Sequence, residues 1–208
     1  MQRALAALFR GAVGKDVVSR AWRKAKADWE AWGRRDLAGE DVVRLILDGT
    51  VVRVRLDRKA TSISLLVVLG VRRDGQKVLL AVRAMGGESE AAWRAVLDDL
   101  VARGLRTPEF LIIDGAAGLE KALASLWPTV PAQRCTVHKH RNLLAHAPER
   151  LHEEFRRRIK TQAVLPSAET AAMLFWALLA SGQITTRKVD GWQTLAERPA
   201  DLPLDLAA

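Results

Sequence analysis

Val42-Val43-Arg44-Leu45-Ile46-Leu47-Asp48-Gly49-Thr50-Val51-Val52-Arg53-Val54 is mostly β-branched and aliphatic, the composition of a strand buried on both faces. Asp48 stands in its middle. A buried carboxylate is costly unless it is paired, hydrogen-bonded or bound to a metal. The same grammar returns in Phe110-Leu111-Ile112-Ile113-Asp114-Gly115, an apolar strand ending in Asp-Gly. Two such strands lying side by side aim two carboxylates at one point. The chain reads as built around that point, a candidate site for a divalent metal.

Downstream of the first strand, Thr61–Val71 and Lys77–Arg83 read as two more strands, joined by the turn Arg73-Asp74-Gly75-Gln76. Asp-Gly between apolar runs is a strong hairpin signal. Met85-Gly86-Gly87-Glu88-Ser89 breaks the sheet. A helix follows from Ser89 to Arg103, with Trp93, Val96, Leu97 and Leu100 on one face and Gly104 as its stop. Strand four is Glu109–Asp114, and the next helix runs from Ala117 to Trp127, ending before Pro128. A short strand, Val130–Arg134, leads into the basic segment Cys135–Leu144.

Upstream, residues 1–40 read as a helical N-terminal segment. Trp22, Trp29 and Trp32 share a helix face, either as a packing stripe or as part of a basic helix docking on DNA. Residues 41–148 form the expected catalytic core. Residues 149–208 supply C-terminal helices that complete it, with a loose tail from Pro199. Ser167 caps a helix that is apolar through Ala180 and closed by Gly182. Three antiparallel strands followed by βα units give an α/β fold: a ribonuclease-H-like core with a mixed five-stranded sheet and flanking N- and C-terminal helices.

The 208 residues include 33 Lys and Arg against 24 Asp and Glu, for a net charge of +9 and a pI near 10.4. That excess favours a polyanionic partner, most simply nucleic acid. Cys135 is the single cysteine, so no internal disulfide framework exists, and a reducing, cytoplasmic, nucleoid-associated setting is expected. No apolar run reaches the roughly 18–20 residues that cross a bilayer, so no membrane partner is expected.

In a ribonuclease-H-like order, Asp48 and Asp114 face each other across adjacent strands. Carboxylates that close repel unless a proton or cation lies between them. Mg2+ (or Mn2+) takes such oxygen ligands, and two ions at one site activate an attacking oxygen and stabilise a leaving one. With the basic charge, this points to polynucleotidyl transfer; the plainer reading is Asp as a strand-end turn residue. Glu149, Glu153 and Glu154 are candidates for a third carboxylate, or form a solvated acidic turn favoured by the helix dipole. Cys135-x-x-His138 has the spacing of half a zinc site, but the other half is absent. His138 is a candidate donor to a scissile phosphate. Lys139, His140 and Arg141 are candidates for DNA-backbone contact, as are Arg156 and Arg157 in the run Arg156–Lys160.

These residues resemble a known family. Leu47-Asp48-Gly49-Thr50, Ile113–Leu119, Gln133–Leu143, Glu149–Thr161 and Gly182 through Trp192 look like successive motifs of the Mutator-type insertion-sequence transposases. Gln133-Arg134-Cys135-x-x-His138-Lys139 is the most specific of them. The resemblance implies an Asp-Asp-Glu triad, Mg2+, and cut-and-join chemistry on insertion-sequence terminal inverted repeats and target DNA, by a homodimer when active. Asp48 and Asp114 carry over as its aspartates, Glu149 as the glutamate, and Cys135 and His138 as its Cys-x-x-His pair. The family also has a long N-terminal DNA-binding region and a helical insertion before the glutamate. The expectation is therefore an N-terminally truncated, internally deleted copy, which leaves a catalytically dead DNA-binding fragment or a ribonuclease-H-type nuclease as alternative readings.

Overall fold

In the computed structural model, which describes residues 15–56, 59–134 and 165–183 with Thr186, Lys188 and Gln193, the strand β1 (Val42–Leu56) is the spine. It pairs antiparallel with β2 (Lys59–Arg72), and β2 pairs antiparallel with β3 (Lys77–Met85). On its other side β1 pairs parallel with β4 (Phe110–Ile113), which pairs parallel with β5 (Ala132–Arg134). The sheet order is β3-β2-β1-β4-β5, the ribonuclease-H-like arrangement. Helix α2 (Glu90–Ala102) connects β3 to β4, and α3 (Ala117–Leu126) connects β4 to β5. Parallel neighbours need such crossovers, whereas the β2–β3 hairpin closes on a tight turn, with Gly75 N–H donating to Arg72 O at 2.8 Å.

Side-chain alternation divides the core in two. On one face of the sheet Leu45, Leu47, Leu66, Val68, Leu111 and Ile113 pack beneath α2 and α3. Helix α2 contributes Trp93, Val96, Leu97 and Leu100, and Ser89 caps it by accepting from Ala92 N–H at 3.2 Å. On the other face Ile46, Val52, Val54, Leu65, Val67 and Leu69 pack beneath α1 (Lys15–Gly33) and α4 (Ala168–Ala180). Ser167 caps α4, accepting from Thr170 N–H at 3.1 Å.

The tryptophan stripe is packing. Trp29 stacks on Trp32 with centroids 5.0 Å apart, and Trp176 of α4 meets both, at 5.8 and 6.1 Å. Lys26 of α1 pairs with Glu169 of α4 at 2.8 Å. The face expected as a possible DNA contact is thus turned into the core.

Two elements differ from the sequence expectation. The helix expected over residues 1–40 ends, among the described residues, at Gly33. The chain then crosses the end of the sheet to feed β1, with buried Leu37 donating its N–H to Arg103 O at 2.7 Å. Strand β1 is also longer than expected and is not buried on both faces throughout. Beyond Thr50 it alternates, with Val52 and Val54 buried and Val51 58% exposed.

Trp93 is fully buried, and its indole N–H has no hydrogen-bond partner among the described residues. Trp93→Ala is expected to cost about 3–5 kcal/mol through the cavity it opens. Trp93→Phe is expected to cost under about 1.5 kcal/mol, because most of the volume stays and the unsatisfied donor is removed. Denaturant unfolding of both variants measures the difference.

Candidate active site

The site is set by a short parallel register. Arg44, Leu45, Ile46 and Leu47 pair with Phe110, Leu111, Ile112 and Ile113. One residue further along each strand stand Asp48 and Asp114. Alternation fixes which way they face. The Arg44 guanidinium lies over the Phe110 ring, 5.7 Å from its centroid, so those two side chains share a face. Ile46 and Ile112 share it too, packing in the same cluster. Asp48 and Asp114 are the next pair in this series, on strands about 4.8 Å apart.

The two carboxylates differ in environment. Asp48 is 8% exposed, on the central strand opposite buried Val67 of β2. Thr50, next along the same face, is also buried. Asp114 is half-buried just past the end of β4, and its Oδ1 accepts from Ala116 N–H at 2.8 Å. This side-chain turn holds one carboxyl oxygen in place and prepares the start of α3. Like charges on neighbouring strands repel unless a proton or a cation intervenes.

Close backbone packing shapes the surroundings. Gly115 has φ +89°, the left-handed region, and a Cβ there would press on the Arg134 side chain at 3.3 Å. Arg134 is itself tied to Glu120 of α3 at 2.7 Å. A Cβ at Gly118 would overlap the backbone of residues 88–90, so the first turn of α3 lies directly on the entry to α2. Sequence reasoning passed over Glu88 as part of a sheet break. Its carboxyl rests on the α-carbon of Gly49, where a Cβ would overlap it. Alternation puts that contact on the opposite face of β1 from Asp48. The signal available was the Gly86-Gly87 step before it, a flexible approach to a close contact.

Asp48 and Asp114 are therefore brought together. Glu149, Cys135, His138, Lys139, His140, Arg141, Arg156 and Arg157 lie outside the described residues. The described chain leaves the sheet at Arg134, which pairs with Ile113, and re-enters at Leu165, bridged in parallel to Val54. Arg134 and Leu165 thus both lie beside the strands that carry the pair. Among the described residues no group of three His, Cys, Asp or Glu gathers as a metal site, and no helix is long and apolar enough to cross a membrane.

Residues 1–180 match the family described as "Transposase, Mutator family". The chain is 42% identical to the transposase for insertion sequence element IS6120 of Mycolicibacterium smegmatis, over 61% of this chain and 40% of that protein. It is 34% identical to the transposase for insertion sequence element IS406 of Burkholderia multivorans, over 60% of this chain and 32% of that protein. The chain spans about two fifths or less of the length of these relatives. Among solved structures it is similar to the HTLV-2 integrase catalytic core domain in complex with magnesium (dimeric form), with a TM-score of 0.40 and 13% identity, over 68% of this chain and 88% of that chain.

Because Gly115 adopts a left-handed backbone beside Asp114, Gly115→Ala is expected to destabilise the chain by about 1–3 kcal/mol. Thermal or denaturant unfolding reads that loss. An unchanged midpoint means that the Asp114 turn is not held as described.

Proposed function

The chain belongs to the Mutator family of transposases, and from that premise we propose that Asp48 and Asp114 are two acids of a metal-dependent polynucleotidyl transferase site acting at insertion-sequence ends. The observation that carries this reading is the register: two carboxylates one step past Leu47 and Ile113, on one face of adjacent parallel strands. The net charge of +9 supports a polyanionic substrate. The substrates are the terminal inverted repeats of the element and target DNA, and the working unit is a homodimer.

The donor set fits a hard divalent cation. Asp48 and Asp114 offer carboxylate oxygens of the kind Mg2+ or Mn2+ takes, and Glu149 is proposed as the third acid. The chemistry such ions supply when bound is activation of the attacking oxygen and stabilisation of the leaving oxygen of a phosphodiester. The chain's own residues supply placement. Asp48 sits on the central strand, paired with Val67 of β2 and one residue past the last β1–β4 pair. Asp114 is oriented by the Ala116 N–H. Lys139, His140, Arg141, Arg156 and Arg157 are proposed to hold DNA phosphates, which gives affinity without sequence information. His138, with Cys135 three residues before it, is proposed as a donor to the phosphate being cut.

The test uses pre-nicked element-end DNA with Mg2+ or Mn2+. Wild-type chain is expected to join strands. Asp48→Asn and Asp114→Asn are each expected to lower the rate more than about a hundredfold, beyond the loss seen when a mere supporting group around a metal is removed. DNA affinity should stay nearly intact in both. Equal turnover in either variant, or DNA binding without turnover in the wild type, overturns the assignment.

A further inference from the structure

Past Asp48 the sheet narrows to a two-stranded arm, bridged on its β1 edge by Leu165 at Val54. Strand β4 pairs with β1 only as far as Leu47, and β3 follows β2 only as far as Ser64. Beyond those points β1 and β2 continue together, from Val51 opposite Ser64 to Leu56 opposite Lys59. One face of this arm is sealed: Val52, Val54 and Ile63 are buried, with Leu165 against them. The other face is open. It carries Val51, Arg53 and Arg55 on β1, with Ser62 opposite Arg53 and Ala60 opposite Arg55. Val51 is 58% exposed, and both arginines and their small partners are exposed.

The charges on that face are uncompensated among the described residues. Arg72, Arg73, Arg83, Arg94, Arg103 and Arg134 each pair with an acid. Neither Arg53 nor Arg55 makes an ion pair among the described residues, and Ser62 and Ala60, not acids, stand opposite them; Glu88 meets this face of β1 at Gly49, four residues before Arg53. Two like charges two residues apart on one strand face are about 6.6 Å apart at the backbone, a spacing comparable to that of successive phosphates along a nucleic-acid strand. Small residues opposite them leave room for a polyanion to approach. A two-stranded ribbon also has the width that the major groove of duplex DNA admits.

We propose that this open face of the β1–β2 arm, through Arg53 and Arg55, grips the phosphate backbone of the duplex being processed. The proposal rests on the reading of Asp48 and Asp114 as a DNA-processing site. Arg53 lies five and Arg55 seven residues past Asp48 on the same strand, about 17 and 23 Å along it. Alternation turns both arginines to the opposite face of β1 from Asp48. Beyond Leu47 that edge of β1 is free of β4, and Leu165 bridges it at Val54, exchanging backbone hydrogen bonds with Arg53 and Arg55; a duplex running from the acid pair to the arm passes outside that bridge. Such a duplex reaches both arginines within one helical turn. The arm adds affinity and orientation, and its contacts are blind to base sequence.

The experiment is DNA binding by the full chain to a long mixed-sequence duplex, followed by fluorescence anisotropy across a salt series. Each phosphate contact contributes about 0.9 to the slope of log affinity against log salt. Arg53→Gln and Arg55→Gln are each expected to reduce the slope by about 0.9, and the double variant by about 1.8, with affinity falling about tenfold or more at low salt. Arg53→Lys with Arg55→Lys should keep the slope. Arg106→Gln, an exposed cation on the α2–β4 loop, should leave it unchanged, with all variants keeping the wild-type unfolding midpoint. An unchanged slope in the double variant, while the wild type binds, overturns the arm and leaves the acid pair untouched. Equal slope losses for Arg106→Gln reduce the effect to net charge and overturn it too. A double variant that changes only self-association makes the face a chain–chain interface instead. A wild type with no salt-dependent DNA binding brings down the functional reading, and the arm with it.

Discussion

Everything at the site depends on four residue pairs of parallel strand. The β1–β4 ladder runs only from Arg44 opposite Phe110 to Leu47 opposite Ile113. It is supported at one end by Glu109 N–H donating to Val43 O at 2.8 Å, and beyond β4 by Leu111 N–H donating to Pro131 O at 3.0 Å. A slip of one residue would turn every β4 side chain over. Asp114 would then face the cluster beneath α2 and α3, and Ile113 would take its place beside Asp48. The slip is opposed from both faces, because Leu111 and Ile113 are buried in one cluster and Ile112 packs against the other. The crossover through α2 adds a further restraint, since Trp93, Val96, Leu97 and Leu100 fix how far that helix carries the chain before it turns back into β4.

Much of this was legible in the sequence. The hairpin turn at residues 73–76, the Ser89 cap, the four-residue buried face of α2 and the pairing of Asp48 with Asp114 all follow from local rules: turn chemistry, side-chain period and the need to cover a two-faced sheet. What was not legible depended on tertiary partners. Trp29 and Trp32 gave a stripe but not its occupant; Trp176, far along the chain, decides that the stripe is core. The run Val51-Val52-Arg53-Val54 looked like more buried strand. Whether a β-branched residue faces core or solvent there is set by where β3 and β4 stop, and no residue of β1 records that. Glu88 was hidden for a similar reason: its neighbour Gly49 is about forty residues away in the chain, and their meeting depends on how the start of α3 stacks on the loop before α2.

The edges of the sheet are handled by charge. Strand β3 ends the sheet on one side and carries a bulge between the pairs Val68–Ala81 and Leu69–Leu79. The carbonyls of Leu79 and Leu80 accept from Arg35 at 2.6 Å and from Arg103 at 3.0 Å. Guanidinium groups there occupy positions that another strand would otherwise take, which is a common guard against edge-to-edge association. Burial lowers the pKa of both arginines, so part of their solvation is lost in the process. Arg35 also lies over Trp32, 4.8 Å from its ring centroid, which ties the edge guard to the tryptophan cluster.

Paired arginines cluster around the start of β1, and the exposed arginines of the arm lie toward its other end. Around the start of β1 and the end of α2, Arg72, Arg73 and Arg103 meet Glu40, Glu109 and Asp99. Toward the other end of β1 lie a buried Asp48, its neighbour Asp114, and then the exposed arginines of the arm. A fold selected for stability alone has little reason to bury a carboxylate on its central strand beside another acid, or to set exposed cations in a row with no acid across from them. Both arrangements become favourable once a cation sits between the acids and a polyanion lies along the arm. The proposed substrate complex supplies those two opposite charges together, so the places where like charges crowd in the isolated chain are the places where a metal and a phosphate backbone would be bound.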